Sequence, residues 1–216
     1  MPKSKAEETP VRGRGRPARD EAEVRHTLVE AATWVLLNKG LSAATIEAVA
    51  AHAGLAKKTV YRFVANREEL LAAVVRSWTD TYLEVADVEV KGSGDVMQRL
   101  ADILLAISHR ALSKEAVGMY RLLVSDTSAR DDLLRAYNAN GVERGRAIVA
   151  AWLQRQKEEG LLLVEDPAET SDLLLSMVIA EPLREAALGL IPPSPQWDAG
   201  PRIRASLKLL APLVCG

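Results

Sequence analysis

The stretch TIEAVAAHAGLAKKTVYRF, from Thr45 to Phe63, contains two short helical patterns joined by a turn. Thr45 can cap a first helix that runs to about Ala53. Gly54 marks a tight turn, and a second helix is predicted at about 57–63. Two helices of about nine and seven residues with a glycine between them have the dimensions of a helix-turn-helix, whose second helix enters the major groove of DNA.

The second helix of this motif begins with polar and basic residues, as a helix that contacts DNA requires. Lysine and threonine side chains there can reach phosphates or base edges in a major groove about 12 Å wide. Arg67 lies in the first turn of the next helix, where it can bind a phosphate together with the free N–H groups of that helix. The candidate DNA contacts that follow from these residue types are Lys57, Lys58, Thr59, Tyr61, Arg62 and Arg67.

Capping signals predict a helix on each side of the motif. Asp20 and Glu23 form a capping-box pattern, and an apolar stripe follows them up to a basic last turn and a glycine, so a first helix is predicted at about 20–38. Asn66 and Glu69 form a second capping-box pattern, which opens a longer helix that reaches the mid-80s. The motif therefore lies within a bundle of helices.

The rest of the chain also repeats apolar residues at helical spacing, and strand patterns are nearly absent. Asp166 and Pro167 predict another helix start. The run 173–180 is apolar on all sides, which indicates burial on all sides, and Pro182 is expected to kink that helix. We predict an all-α fold of about nine helices.

Composition argues against several other classes of protein. The chain has 216 residues and one cysteine, Cys215, which forbids an intramolecular disulfide framework. Its longest apolar run, Ala147–Leu153, is far shorter than the ~20 residues of a membrane helix. The N-terminal segment carries charges, glycine and proline instead of an apolar leader. We expect a cytoplasmic protein without a membrane span.

The net charge of −1 conceals an uneven distribution of charge. Residues 1–67 carry a formal charge of +5, and residues 68–216 carry −6. A basic segment of this kind suits a polyanionic partner, usually nucleic acid. Uneven surface charge without a function is the alternative interpretation.

The residue types that carry catalysis are scattered along the chain. His26, His52 and His109 lie far apart, without cysteine or acidic residues at metal-ligand spacing. The serine, aspartate and histidine residues form no triad-like motif. We predict no enzymatic activity, no metal and no cofactor; a helical enzyme or an interaction scaffold is the alternative from another class.

The N-terminal segment RGRGRP, residues 12–17, is similar to the core of an AT-hook. Arginines flanked by glycine and proline can lie extended in a narrow minor groove. We therefore predict that Arg14 and Arg16 make auxiliary contacts with DNA and that residues 1–19 form a disordered basic tail. A disordered tail without DNA contacts is the alternative.

The segment Thr45–Phe63, followed by NREEL at residues 66–70, resembles the DNA-binding motif of the tetracycline-repressor-like (TetR) family. The motif covers residues 45–64 within a family domain that covers residues 20–82. The resemblance implies an all-α homodimer with a three-helix DNA-binding domain and a larger effector domain. It implies DNA contacts at Thr45, Lys57, Lys58, Thr59, Tyr61 and Arg67.

Three positions depart from the family pattern. Ala56 stands where a serine commonly caps the recognition helix, and an alanine cap costs ~1 kcal/mol. Phe63 and Val64 replace the usual His-Phe pair, which removes one polar contact and keeps the apolar filling. Arg67 replaces the usual lysine and preserves its charge.

The resemblance also implies an organisation and a function for the whole chain. The expected parts are the tail 1–19, a helix-turn-helix domain 20–66, and an effector-binding and dimerisation domain 67–216. The expected function is that of a sequence-specific repressor that a small, apolar effector releases from a palindromic DNA operator. A regulator of the same fold that is controlled by a protein partner, or by no ligand, is the alternative.

Two further sets of residues are predicted in the larger domain. Aromatic and neighbouring residues are candidates for an apolar effector pocket between bundled helices, with ordinary core packing as the alternative for each. They are Trp78, Tyr82, His109, Met119, Tyr120, Trp152 and Met177. The all-apolar run and the final apolar stripe predict a self-complementary dimer interface, with packing inside one chain as the alternative. Its residues are Leu173, Met177, Ile203, Leu207, Leu210 and Val214.

Overall fold

Nine continuous helices build the part of the protein that the computed structural model describes, residues 20–87, 89–90, 92–125 and 130–210. The prediction of an all-α fold with about nine helices is confirmed. The first six helices are α1 (Glu21–Lys39), α2 (Ile46–Ala53), α3 (Lys57–Val60), α4 (Arg67–Ala86), α5 (Ser93–Ala111) and α6 (Lys114–Ser125). The predicted contact residues Arg14, Arg16 and Val214, and the predicted tail, lie outside the described residues.

The next two helices each contain a π-helical segment, which the sequence patterns do not predict. Helix α7 consists of Arg130–Tyr137, the π-helical segment Asn138–Glu143, and Arg144–Glu158. Helix α8 consists of Pro167–Leu175, the π-helical segment Ser176–Ala180, and Glu181–Leu188, and α9 is Gly200–Lys208. Such segments are rare and frequently lie at functional sites.

The π-helical segment of α8 lies just before Pro182, where a kink is predicted. Proline has no N–H for the carbonyl one turn earlier, and its ring crowds that carbonyl. Pro182 occupies the first turn of the helical stretch that follows the segment. The wider π-helical turn accommodates the proline, and the helix continues to Leu188.

Local side-chain chemistry places the ends of the N-terminal helices. The Asn66 side chain accepts a hydrogen bond from the Glu69 N–H at 2.9 Å, and the Glu69 carboxylate accepts one from the Ala65 N–H at 2.6 Å. The first bond is one half of the predicted capping box at the start of α4, and Glu69 reaches back to the residue before the N-cap instead of to the Asn66 N–H. Gly54 ends α2 in the left-handed conformation, with φ of +62°, which glycine adopts without steric cost.

Two apolar cores lie along α4. The first core joins α1, α2 and α3 to the first half of α4 and to α6 and α7, and includes Val49, Val60 and Met119. The second core joins the end of α4 to α5, α7, α8 and α9. Helices α1 and α6 approach closely, because a Cβ atom on Gly118 would lie 2.9 Å from a Leu37 methyl carbon. The three N-terminal helices therefore complete their core with residues of the C-terminal helices.

Candidate nucleic-acid interface and effector cavity

Helix α3 and the turn after it present a basic and polar surface. Four of the predicted DNA-contacting residues are exposed at positions i, i+1, i+4 and i+5, which lie on the same side of a helical turn. The opposite side carries Val60, which is fully buried in the first core. The exposed residues are Lys57, Lys58, Tyr61 and Arg62, and we call them the α3 surface.

The two predicted threonines lie at the edge of this surface. The Thr45 hydroxyl oxygen accepts a hydrogen bond from the Ala48 N–H at 3.1 Å, which caps α2 and leaves the hydroxyl proton able to donate. Thr59 is half-buried in α3. Ala56, at the N-cap of α3, provides no capping hydrogen bond, and this agrees with the weak start predicted for that helix.

Lys57 is the basic residue of the α3 surface that has an acidic neighbour within the motif. Its ammonium lies 3.1 Å from a carboxylate oxygen of Glu47, and both side chains are largely exposed. A hydrogen bond from the backbone N–H of Glu47 has the largest effect in lowering the pKa of the Glu47 carboxylate. The hydrogen bond and the positive charge of the Lys57 side chain lower this pKa further. A phosphate that binds Lys57 therefore competes with Glu47.

Arg62 connects the α3 surface to the beginning of α1. Its guanidinium lies 3.4 Å from the Glu21 carboxylate and 5.2 Å from the centre of the Phe63 ring. The Arg25 guanidinium lies 5.4 Å from that ring centre as well, so the phenylalanine is held between two cations. The chain thus enters α1 beside the exposed residues of α3.

Arg67, for which a phosphate contact is predicted, makes contacts within the protein. Its guanidinium donates hydrogen bonds to the backbone carbonyls of Leu41, at 2.6 Å, and Ala44, at 3.1 Å. A third nitrogen lies 3.7 Å from the carboxylate of Asp132 in α7. These contacts give Arg67 a structural role and use two of its five N–H donors, so its phosphate contact stays a prediction.

A partly open cavity of about 320 Å³ lies between α4, α5, α6, α7 and α8, and the exposed Ser176 and Ala180 are part of its wall. Its wall is mostly apolar, and it takes residues from both π-helical segments, including Val142 of the first and Ile179 of the second. The volume is at the lower end of the range of about 300–1,000 Å³ that is typical of small-molecule sites. The polar or aromatic residues of the wall are Trp78, Thr79, Tyr82, Tyr120, Tyr137, Arg146 and Ser176.

Three tyrosines provide phenol hydroxyls to this wall. In the described part of the chain, the hydroxyls of Tyr82, Tyr120 and Tyr137 have no hydrogen-bond partner. Burial raises the pKa of Tyr82, and burial together with the nearby Tyr120 raises the pKa of Tyr137 to about 12. Both phenols therefore stay protonated at neutral pH and are able to donate.

Three of the seven predicted pocket residues, Trp78, Tyr82 and Tyr120, line this cavity. Met119 and Trp152 are buried in the two cores instead, because an apolar stripe marks burial without distinguishing core from cavity. The His109 ring is hydrogen-bonded to the Ser194 hydroxyl at 3.0 Å. The wall of this cavity does not include His109, Met119, Trp152 or Met177, so the pocket prediction was wrong for these four residues.

The sequence interpretation missed Tyr137 and Arg146, which line the cavity from either side of the first π-helical segment. A tyrosine close to glycines in a helical stretch was the available signal. It could not be interpreted from the sequence, because the side of α7 that faces the cavity changes across the π-helical segment.

The predicted dimer residues fall into two groups. Ile203 is 2% and Leu207 7% exposed, and both belong to the second core, so these two residues pack inside their own chain and the prediction is corrected for them. Leu210 packs against the same core, and Met177 is half-buried. Leu173 is 57% exposed. It begins an exposed line along α8, which we call the α8 surface: Leu173, Ser176, Ala180, Arg184 and Leu188.

The described residues contain no candidate metal site and no candidate membrane-spanning helix. Within them, no group of three His, Cys, Asp or Glu side chains could hold a metal ion. Nor does any helix in these ranges combine the length and apolar character needed to cross a membrane.

Two family models match the chain. Residues 28–74 match the model of the tetR family of bacterial regulatory proteins, and residues 98–208 match that of the C-terminal domain of AefR-like transcriptional repressors. The HTH-type transcriptional regulator Rv1816 of Mycobacterium tuberculosis is 31% identical over 97 residues, which are 44% of this chain and 39% of that protein. The match therefore spans well under half the length of this curated relative.

Solved structures share the fold. A TetR-family transcriptional regulator of Mesorhizobium loti is 24% identical, with a TM-score of 0.63 over 87% of this chain and 96% of that one. The flavonoid-responsive regulator FrrA is also 24% identical, with a TM-score of 0.64 over 88% of this chain and 95% of that one.

A helix-turn-helix with an exposed basic second helix, joined to a larger helical domain, defines a DNA-binding transcriptional regulator. The chain belongs to the TetR family, and its C-terminal domain is of the AefR-like type.

Proposed function

We propose that this protein is a homodimeric repressor that binds a palindromic operator and leaves it when a small molecule enters the cavity. The observation that carries the proposal is the position of the cavity, which borders α4, a helix that also belongs to the core of the helix-turn-helix. The AefR-like repressor model that matches residues 98–208 supports repression.

The α3 surface is the proposed reading surface for DNA. Lys57, Lys58 and Arg62 supply positive charge for phosphates, and Tyr61, which is 51% exposed, supplies a phenol for a base edge or a phosphate. Thr45 adds a hydroxyl at the start of α2. Arg67 is left out of this set, because its guanidinium is bound within the protein.

The α8 surface is the proposed dimer interface. Leucines at both ends of this surface supply apolar area, and small residues between them, Ser176 and Ala180, allow close approach of a second helix. A two-fold axis requires a self-complementary patch of this kind. Dimerisation would present two α3 surfaces to half-sites about 34–36 Å apart on one face of DNA.

Hydrogen bonds join α4 to the π-helical segment of α7 beside the cavity. The cavity-lining Thr79 donates to the Asn140 carbonyl at 3.0 Å, and the Arg76 guanidinium donates to the Asn140 side chain at 3.2 Å. Asn140 belongs to the π-helical segment of α7. An effector that binds best when this segment has shifted would move α4 and change operator affinity by its differential binding energy.

Selection of bound DNA from a random pool, followed by fluorescence anisotropy on the selected site at several salt concentrations, tests the proposal. We expect a palindromic site with two half-sites, bound by one dimer with a steep salt dependence. An unselective pool, or a single half-site bound by a monomer, would contradict it. A regulator without a ligand would bind the site and keep its affinity in the presence of every compound that enters the cavity.

A further inference from the structure

Resting on the proposed function, we propose that the cavity takes a flat, uncharged and largely apolar molecule that carries a hydrogen-bond acceptor oxygen, as aromatic ketones and ethers do. The proposal concerns the chemical class of the effector. It depends on three properties of the wall: its hydrogen-bond donors, its charge and its aromatic side chains.

The donors come from three different helices. Tyr82 lies on α4, Tyr120 on α6 and Tyr137 on α7, and all three residues line the cavity. Their hydroxyls are without partners in the described ranges. The residues that carry these hydroxyls face open cavity space, so a ligand that offers an acceptor oxygen can make a hydrogen bond that the protein leaves unmade.

The charges of the wall favour a neutral ligand. Of the described residues that line the cavity, Arg146 alone carries a charge at neutral pH, and its guanidinium lies 2.5 Å from the Asp172 carboxylate on α8. The nearby Arg110 guanidinium lies 5.4 Å from the centre of the Trp78 ring. Asp172 already offsets the charge of Arg146, so a carboxylate ligand would gain little to compensate for the loss of its hydration. An ammonium ligand would find no free anion among the described wall residues.

The shape of the wall favours a flat ligand. Trp78 and the three tyrosines supply aromatic faces, and aliphatic residues such as Val75, Ile107 and Leu183 fill the spaces between them. Rings of this kind pack well against planar molecules in offset or edge-to-face arrangements. The modest volume excludes a long or bulky molecule.

A matched series of two-ring probes tests the class. We would measure the Kd of the full chain for 2-acetonaphthone, 2-ethylnaphthalene and 2-naphthoate by calorimetry. The ketone and the hydrocarbon have similar size and differ in the acceptor oxygen, so the ketone should bind about 2- to 12-fold more tightly, which corresponds to one net hydrogen bond. The naphthoate should bind at least about 10-fold more weakly than the ketone, because its carboxylate loses water in a mostly apolar cavity.

Tyrosine variants assign the effect to the cavity. Tyr82→Phe, Tyr120→Phe and Tyr137→Phe together remove all three phenol donors, so they should bring the ketone to the affinity of the hydrocarbon and leave the hydrocarbon unchanged. Tyr61→Phe removes the same atom from an exposed tyrosine just after α3, far from the residues of the cavity wall in the sequence, and should change the affinity of neither probe. Circular dichroism and gel filtration of each variant establish that the fold persists.

The outcomes separate the ligand class from the proposed function. A naphthoate that binds as tightly as the ketone, equal affinities for the ketone and the hydrocarbon, or no binding of any probe would each overturn the proposed class. Anisotropy with the selected operator is then measured in the presence of the ketone. Tight ketone binding without loss of operator affinity would support the class and contradict release by a ligand in this cavity.

Discussion

The guanidinium of Arg67 lies 3.7 Å from the carboxylate of Asp132 while it donates to the carbonyls of Leu41 and Ala44. Asp132 belongs to α7, whose π-helical segment borders the cavity, and the two carbonyls belong to the loop just before α2. One side chain therefore connects a helix of the cavity wall to the loop that positions Thr45. Displacement of α7 would reach the helix-turn-helix through this side chain.

Replacement of Arg67 by lysine tests whether this connection is structural. Lysine keeps the positive charge but cannot hold two carbonyls and a carboxylate in a planar fork. We expect Arg67→Lys to lower the free energy of unfolding by about 1–3 kcal/mol and to weaken operator binding. Urea unfolding and anisotropy measure the two effects. The control Arg135→Lys, at an exposed ion pair with Glu68, should lower the free energy of unfolding by less than about 0.5 kcal/mol. An equally small loss of stability in Arg67→Lys would support the predicted phosphate contact instead.

Neutralisation of Glu47 is expected to strengthen DNA binding. The Glu47 carboxylate competes with phosphate for the Lys57 ammonium, 3.1 Å away. We expect Glu47→Gln to tighten operator binding by about 2- to 5-fold at low salt, the size of an exposed ion pair. Glu30→Gln removes one negative charge from α1, away from the α3 surface, and serves as the control in the same anisotropy titration. Equal gains in the two variants would mean that overall charge is the cause.

Removal of the two lysines of α3 is expected to reduce the salt dependence of binding. Each lost phosphate contact lowers the slope of log affinity against log salt by about one unit. We therefore expect the Lys57→Ala, Lys58→Ala double variant to lose about two units of slope. Lys208→Ala, at an exposed position on α9, should leave the slope unchanged. An unchanged slope in the double variant would show that both lysines face away from DNA.

Deletion of residues 1–18 tests the minor-groove role proposed for Arg14 and Arg16. The deletion ends next to α1, whose first-turn Glu21 lies 3.4 Å from Arg62 of the α3 surface. The removed segment therefore joins the described chain beside the proposed DNA surface. We expect lower affinity for operators with A·T flanks and an unchanged core preference. Affinities that stay equal for A·T and G·C flanks before and after deletion would argue against minor-groove contact.

Two leucine substitutions distinguish the proposed dimer interface from the core of the chain. Leu173 is exposed on the α8 surface, so Leu173→Glu should produce a folded monomer that has lost specific operator binding. Leu207 is buried in the second core, so Leu207→Glu should unfold the C-terminal helices. Analytical ultracentrifugation and circular dichroism distinguish these results. A Leu173→Glu variant that still sediments as a dimer would place the interface elsewhere.

Local chemistry made the helices and their starts predictable. Asn66 caps α4 through the N–H of Glu69, and Thr45 caps α2 through the N–H of Ala48. Each partner lies only three positions away, so the sequence pattern contains the interaction itself. The α3 surface was predictable for the same reason, because its four exposed residues follow from one short helix and a buried Val60.

Long-range packing was not predictable from the same patterns. The apolar spacing of Ile203 and Leu207 is identical for a helix that packs on its own chain and for one that packs on a second subunit. Arg67 is basic in the first turn of a helix, and only the positions of Leu41 and Asp132 in space assign its donors. The cavity depends on two π-helical segments, which the local sequence patterns do not predict.

The presence of α4 in both apolar cores has a consequence for thermal stability. Leu70 and Val74 belong to the first core, and Tyr82 and Ala86 of the same helix belong to the second. Loss of either core would remove support from the helix on which the other is built, so heat should unfold the described chain in one cooperative transition. A compound held at Tyr82 would then raise a single melting temperature, and the helix-turn-helix would gain heat resistance from the molecule that lowers its affinity for DNA.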